Sequence, residues 1–491
     1  MGPKEPVMGS LKTFGVDLPQ IVDSRAVCLA VLTVLASGAL AQARVEVSED
    51  GRRRVSAAPT ATDNTGWNRG TGVPFGTVPD QVVNLRRQIG GVQVADMNAD
   101  GRNDVVAVCY NSQSYPPYTD WHDMIFYNTG SGIETTPSWL SVEQVHTGDV
   151  QIGEINGDGH LDVVTVHGNV SSQSARVYYG SASGPATSAG WTAAGPAVWG
   201  TAGGLADIDN DGDLDLITSN QGVSPDPYKP NFMFRNNAGT FTTAPAWQSG
   251  DLAVQNGVAT GDFNNDGWTD VAIGKWVNFQ SGIYFNNAGT LASFPGWTVG
   301  HTDADKGAAV GDFDANGWLD VAFGGDPSRA YTQDDGVFTE AWANTDPLSG
   351  AQEIRTHDVD SDGDLDLAEI HFSTGKCYIY LNNAGVISTT PDWTFDAPEV
   401  GNTLAFGDIN GDRYDDLVIG YSGDISIRVF FAIPPDCAPD LTGDGTLDFF
   451  DVQAFLQAFS AGQPAGDFNN DGVYDFFDVQ AFLQAFADGC P

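Results

Sequence analysis

A nine-residue acidic loop recurs seven times along this chain, so any fold it adopts must repeat a scaffold in step with that loop. The fullest copy is Asp207 to Asp215, DIDNDGDLD, with Asp207, Asp209, Asp211 and Asp215 at loop positions 1, 3, 5 and 9 and Gly212 at position 6. Carboxylates at this spacing can converge on one hard cation. Calcium suits them, because it takes about six to eight oxygen ligands, the glycine supplies the sharp turn and position 7 offers its backbone carbonyl. Ile208 and Leu214 then point away from the ion, toward a core.

The other copies place the same chemistry at the same positions. They offer Asp96, Asn98, Asp100 and Asp104; Glu154, Asn156, Asp158 and Asp162; Asp262, Asn264, Asp266 and Asp270; Asp312, Asp314, Asn316 and Asp320; Asp358, Asp360, Asp362 and Asp366; and Asp408, Asn410, Asp412 and Asp416. Successive loops start 58, 53, 55, 50, 46 and 50 residues apart, a period that marks a repeat architecture. Glu154 replaces the first aspartate of its loop and Arg413 replaces the turn glycine of the last, so the last loop is expected to hold metal more weakly.

Between loops the grammar is constant. A Gly-containing apolar segment (GVQVAD, GVATGD, GAAVGD, TLAFGD) enters the loop and a second apolar segment (VVAVCY, VAIGKW, LVIGY) leaves it, which reads as a hairpin of two strands. A third segment ends in a turn such as FRNNAG, YFNNAG or YLNNAG, where Asn and Gly tolerate positive φ. A fourth carries Trp139, Trp191, Trp247, Trp297, Trp342 or Trp393, each 15 or 16 residues before the next loop; these read as packing between repeats. Four antiparallel strands per repeat predict an all-β fold, a seven-bladed β-propeller of four-stranded blades over residues 61–433. The last repeat supplies three strands. Either the segment around Trp67 or Val82 to Ile89 is expected to complete it from the N-terminal side.

Residues 434–491 use similar ion chemistry on a helical scaffold. Two twelve-residue loops offer Asp440, Thr442, Asp444, Asp448 and Asp451, and Asp467, Asn469, Asp471, Asp475 and Asp478; each is followed by VQAFLQAF with helical spacing of its apolar residues. This predicts a small α-helical, EF-hand-like domain and brings the expected total to about nine calcium ions. The acidic loops and their flanking strands, over about residues 65 to 433, resemble FG-GAP and VCBS repeats, the family that includes the integrin α-chain propeller. The duplicated C-terminal loops, with Asp at position 12, resemble dockerin, the calcium-dependent module that tethers secreted proteins to a cohesin; that resemblance implies a cohesin-like partner.

Nearly half of the 64 acidic residues fall at these ligand positions, against 21 Lys and Arg, for a formal charge of −43. Such a surface excludes nucleic acid as a partner. Residues 1–43 read as a signal peptide, with Lys12 and Arg25 ahead of an apolar run from Ala26 to Leu40 and small residues suited to cleavage at Ala41 or Ala43. The expected location is extracellular, secreted or associated with the cell surface, with no membrane span. Residues 44–60 read as a linker. Cys437 and Cys490 bracket the last module and invite pairing in an oxidising compartment; Cys109 and Cys377 read as buried thiols, with a disulfide between them as the other reading.

Strand alternation puts all seven acidic loops on one face of the propeller and the remaining connections on the other. Beyond residue 43 the chain has four lysines, Lys229, Lys275, Lys306 and Lys376, and all map to that second face, as do His122, His146, His301 and His371. The longest aromatic connection, with Tyr115, Tyr118 and Trp121, maps there too, beside Trp276. The acidic loops read as structural clamps, and the second face reads as a binding surface for an extracellular polysaccharide or protein, with an acidic polysaccharide favoured because rings stack on sugars and cations meet carboxylates. A carbohydrate-active enzyme on that face, a lyase or a hydrolase, is the alternative. No HExxH, GxSxG or phosphate-loop motif occurs, and no catalytic residue can be singled out. Because the uncompensated carboxylates repel one another, a chelator is expected to lower the melting temperature; a melting curve indifferent to EDTA would show that the loops fold without metal.

Overall fold

The segment leaving each acidic loop is largely apolar on both faces, and it becomes a deeply buried strand of its repeat. Asp104–Cys109, Asp162–His167, Asp320–Gly324 and Asp366–His371 are buried along their whole length. The computed structural model describes residues 45–47, 53–55, 72–110, 121–168, 173–222, 225–276, 278–345, 350–433, 439, 441–442, 447, 449–461, 463–466, 468–469 and 473–488. Its contacts fall into two units, Arg69–Cys437 and a second that includes Ala438–Cys490. Residues 1–43 and Trp67 lie outside the described residues. Within 44–60, where a linker was expected, Val45–Val47 pairs with Arg53–Val55.

The larger unit is an all-β propeller. Each repeat runs from an inner strand through the acidic loop to the buried second strand and outward. The repeat opening with Val254–Gly261 continues as Asp270–Trp276, Gly282–Tyr284 and Trp297–Thr298, all antiparallel neighbours. Five such four-stranded sheets stand separately, their inner strands being Thr147–Gly153, Trp199–Ala206, Val254–Gly261, Gly307–Gly311 and Ala351–His357. The expectation of seven four-stranded blades is therefore corrected to five, because the strands of the first and last repeats form a single eight-stranded sheet. The cause is local. Gln81–Val83 closes the last repeat by pairing with Ile427–Phe430, and after a turn at Arg86, with φ of 53°, the same chain becomes the inner strand Arg87–Ala95 of the first. So short a link keeps both strands in one ladder, joined by the pairs Ser422↔Gln88 and Gly423↔Arg87.

Close approach of the inner strands explains the glycines that precede the loops. A Cβ on Gly148 would lie 2.7 Å from the Gly200 carbonyl oxygen, and one on Gly257 2.6 Å from the Ala308 nitrogen; only glycine fits. Six inner strands also carry a register shift near their start, for example between Thr147 and Asp149 and between Ala351 and Glu353, the bend by which bulges re-aim side chains.

The core lies between adjacent sheets. Each repeated tryptophan packs edge-on against an aromatic of the following repeat: Trp139 on Tyr178, Trp191 on Phe234, Trp247 on Tyr284, Trp297 on Tyr331, Trp342 on Tyr380 and Trp393 on Phe430, with centroids 5.0–5.8 Å apart. Amide side chains add a second link. Asn236, Asn286 and Asn382, at the ends of third strands, donate to the Ile155, Ile208 and Phe313 carbonyls of the preceding repeat at 2.9, 2.7 and 2.7 Å. Gln333 does the same to Phe263, and Asn128 reaches Ile409 at 2.6 Å to close the ring. Cys109 and Cys377 are buried and are not joined by a disulfide.

In the second unit, helices Phe449–Ala461 and Phe476–Asp488 meet through Phe455 and Phe482, stacked at 4.2 Å with planes 2° apart. Among the described residues no helix is long and apolar enough to cross a membrane.

Replacing Asn286 by Ala removes bonds to the Ile208 and Thr269 carbonyls and to the Gly289 amide and leaves buried backbone groups unsatisfied. It should lower stability by about 2–4 kcal/mol in urea unfolding with calcium present, while Asn287→Ala, exposed next door, changes little.

Candidate functional site

In every acidic loop the ninth residue is fully buried. Asp104, Asp162, Asp215, Asp270, Asp320, Asp366 and Asp416 are each 0% exposed, and each uses both carboxylate oxygens on backbone amides. Asp104 accepts the Met97 amide, from its own loop, at 3.0 Å and the Asn128 amide, from the third strand, at 2.8 Å. Asp270 accepts Phe263 and Asn286 at 3.0 and 2.7 Å, and Asp366 accepts Val359 and Asn382 at 2.8 and 2.7 Å. The carboxylate at position 1 closes the other half of the loop: Asp262 receives the amides of Asp266 and Gly267 at 3.0 and 2.7 Å.

The backbone turns twice through left-handed space. Position 6 has positive φ in all seven loops, by glycine in six and by Arg413, at 77°, in the last. Position 4 does so as well, in Ala99, Gly157, Asn210, Asn265, Ala315, Ser361 and Gly411. Arg413 therefore holds a conformation that costs a side-chain-bearing residue energy, which is the physical form of the departure noted in the sequence.

Three loops bring three carboxylate oxygens within 4.8 Å of one another: Asp207, Asp209 and Asp211; Asp312, Asp314 and Asp320; and Asp358, Asp360 and Asp366. The remaining loops carry Asn within their sets. Arg235 reaches into one of the three, its guanidinium contacting Asp209 and donating to the Gly289 carbonyl at 3.0 Å. In the helical unit Asp451 and Asp478 are buried and accept the amides of Thr442 and Asn469 at 3.0 and 3.2 Å, and Asp478 also accepts that of Asp475 at 2.8 Å. The expected ligands Asp440, Asp444, Asp448, Asp467 and Asp471 lie outside the described residues.

Burial drives the ninth-position carboxyls upward, neighbouring acids add to it, and the amide bonds only partly oppose it: Asp104 and Asp215 to about 6, Asp270, Asp320 and Asp416 to about 7, and Asp366 to about 8. Unfolded aspartates titrate near ~4, so between about pH 4 and 8 the native state binds more protons than the unfolded one and loses stability as pH rises. In calcium-free buffer the denaturation midpoint should therefore be higher at about pH 5 than at about pH 8, and calcium should flatten that dependence.

The opposite face, where the inner strands begin, receives the cationic candidates unevenly. Lys275 is buried, its Nζ 2.6 Å from Asp251, in the connection that enters its repeat, and over the Tyr284 ring. Its neighbour Trp276 alternates outward and is 40% exposed. Lys306 lies between two rings, 5.6 Å from the Trp276 centroid and 5.4 Å from that of Phe372. Lys229 pairs with Asp226, and Lys376 sits over Tyr378. Trp121 meets His146, which in turn contacts Tyr110 and Trp199. His301 bonds the Tyr331 hydroxyl at 2.8 Å, and His371 is buried against Glu369. Tyr115 and Tyr118 lie outside the described residues.

Sequence reasoning missed a group on the inner strands. Arg355 pairs with Glu353 at 2.5 Å, and Asp149, from a distant repeat, accepts the Gly203 amide at 2.8 Å. Burial raises Asp149 and Glu353, with Arg355 opposing, and both acids hold Arg355 charged against its own burial. These residues sit in segments of small and mixed composition, and only the bulges signal that they turn inward.

Residues 154–218 and 358–419 match the FG-GAP-like repeat family. Each match begins at the first residue of one acidic loop and runs through the next loop into the strand that leaves it. No curated protein matches the chain. Two crystal structures of BBS1N in complex with ARL6DN, one soaked with mercury and one with lead, share its fold at 12% and 11% identity and a TM-score of 0.50; the alignments cover 72% and 73% of this chain and 96% of theirs.

Proposed function

We propose that this chain is a secreted, calcium-clamped propeller that works as an extracellular binding module, with acidic polysaccharide as its ligand class, tethered to a cohesin-like partner through its C-terminal helical module. The observation that carries the reading is the division between the two ends of the inner strands. At one end stand acidic loops whose buried carboxylates hold backbone amides. At the other stand the half-exposed Trp276 and Phe372 with Lys306.

Oxygen-only donor sets at the loops fit a hard cation, and the three-carboxylate groups around Asp207, Asp312 and Asp358 are the best-formed of them. Bound calcium would neutralise charges that otherwise repel, and its function there is structural. FG-GAP-like repeats on a propeller are consistent with a binding role, and BBS1N, of similar fold, is held in complex with ARL6DN. The tether is supported by exposed Phe449, Phe450, Phe476 and Phe477, a pair opening each helix, since exposed apolar patches mark interaction sites.

Calcium titration by calorimetry should show tight binding to the metal-stripped chain, and Asp358→Ala with Asp360→Ala should remove one ion. On an array of polygalacturonate, alginate, ulvan and neutral xylan, the calcium-loaded chain should retain at least one acidic polymer. A chain that binds no calcium, or none of those polymers, would sink the respective half of the reading.

A further inference from the structure

The first residues of the inner strands surround a solvent-open cavity, lined among others by Gly90, Asp149, Gly203, Asn256, Lys306 and Arg355. Two atoms of lining residues are buried without a hydrogen-bond partner, the acceptor Asn256 Oδ1 and the donor Arg355 Nε. Buried polar atoms are normally satisfied, so this pair is an opening for a ligand's own donor and acceptor.

Lys306 also belongs to the rim. Its ammonium lies over two rings contributed by different repeats, Trp276 at 5.6 Å and Phe372 at 5.4 Å, and those rings are 40% and 42% exposed. Cation–π contact holds the lysine in place, yet burial disfavours its charge, with Asp326 opposing. An arriving anion would compensate that lost hydration. The flat faces beside it offer the stacking surface that a sugar ring uses.

We propose that the rim and cavity form a binding site for a uronate-bearing saccharide, its carboxylate paired with Lys306, its rings against Trp276 and Phe372, and its hydroxyls turned to Asn256 and Arg355. This rests on the binding-module reading and gives it an address. A saccharide fits better than an acidic peptide because the cavity also presents Asp149 and Glu353. Those carboxylates can accept hydrogen bonds from a saccharide's hydroxyls, which acidic peptide side chains do not offer.

The test uses the full, calcium-loaded chain and trigalacturonate, with galactotriose as the neutral probe and triglutamate as the peptide probe, by titration calorimetry. Trigalacturonate should bind, and Lys306→Met, which keeps the apolar stem, should weaken it about tenfold or more. Trp276→Ala should weaken it too, while the melting temperatures of both variants stay at the wild-type value. Equal binding of trigalacturonate by wild type and Lys306→Met, equal binding of galactotriose, or equal binding of triglutamate would each overturn the assignment. Retention of acidic polymer on the array with unaffected variants would overturn the site and leave the module reading standing. No binding to any polymer would overturn both.

Discussion

A carboxylate buried at 0% exposure with two amides bound to it is the contact on which the propeller depends. In each repeat the ninth loop residue accepts one amide from the start of its own loop and one from the end of the third strand, so a single side chain fixes the hairpin and its outer neighbour together. Asn286 shows how the link continues. Its amide is bound by Asp270, and its side chain donates to Ile208 in the preceding repeat. Position within a repeat and contact between repeats are thus set by adjacent atoms, which is how a nearest-neighbour array closes into a ring.

That arrangement separates the two faces chemically. Carboxylates needed for loop closure crowd one end of the inner strands, where they are close enough to repel and where oxygen donors gather around Asp207, Asp312 and Asp358. The opposite end is free of that duty. There the strands open on glycines, bulge, and turn Asp149, Glu353 and Arg355 toward a shared cavity, while Trp276 and Phe372 meet Lys306, another of its lining residues. The pair Lys275 and Trp276 shows the rule at one step of the chain. Alternation buries the lysine against Asp251 and sends the tryptophan outward.

Much of this was legible from the residues. The period of the loops, the glycine at position 6, the tryptophan spacing and the assignment of the acidic loops to one face all follow from alternation and turn chemistry, which are local. The left-handed residue at position 4 was less visible, because Ala99, Ala315 and Ser361 carry no signature for it. The amides of Asn236, Asn286 and Asn382 looked like turn chemistry alone; their reach to the neighbouring repeat depends on a partner 69 to 81 residues away.

The sequence by itself determined the repeat, its four-strand grammar and the oxygen chemistry of its loops, since each needs only residues close in the chain. Tertiary structure decided how the strands share ladders. The pairs Ser422↔Gln88 and Gly423↔Arg87 merge eight strands into one sheet and leave five separate blades, because a short turn at Arg86 holds the closing strand beside the first inner one. It also decided which lysine meets the cavity. Lys275 and Lys306 both map to the second face in sequence, and only the packing of three repeats places Lys306 beside two exposed rings.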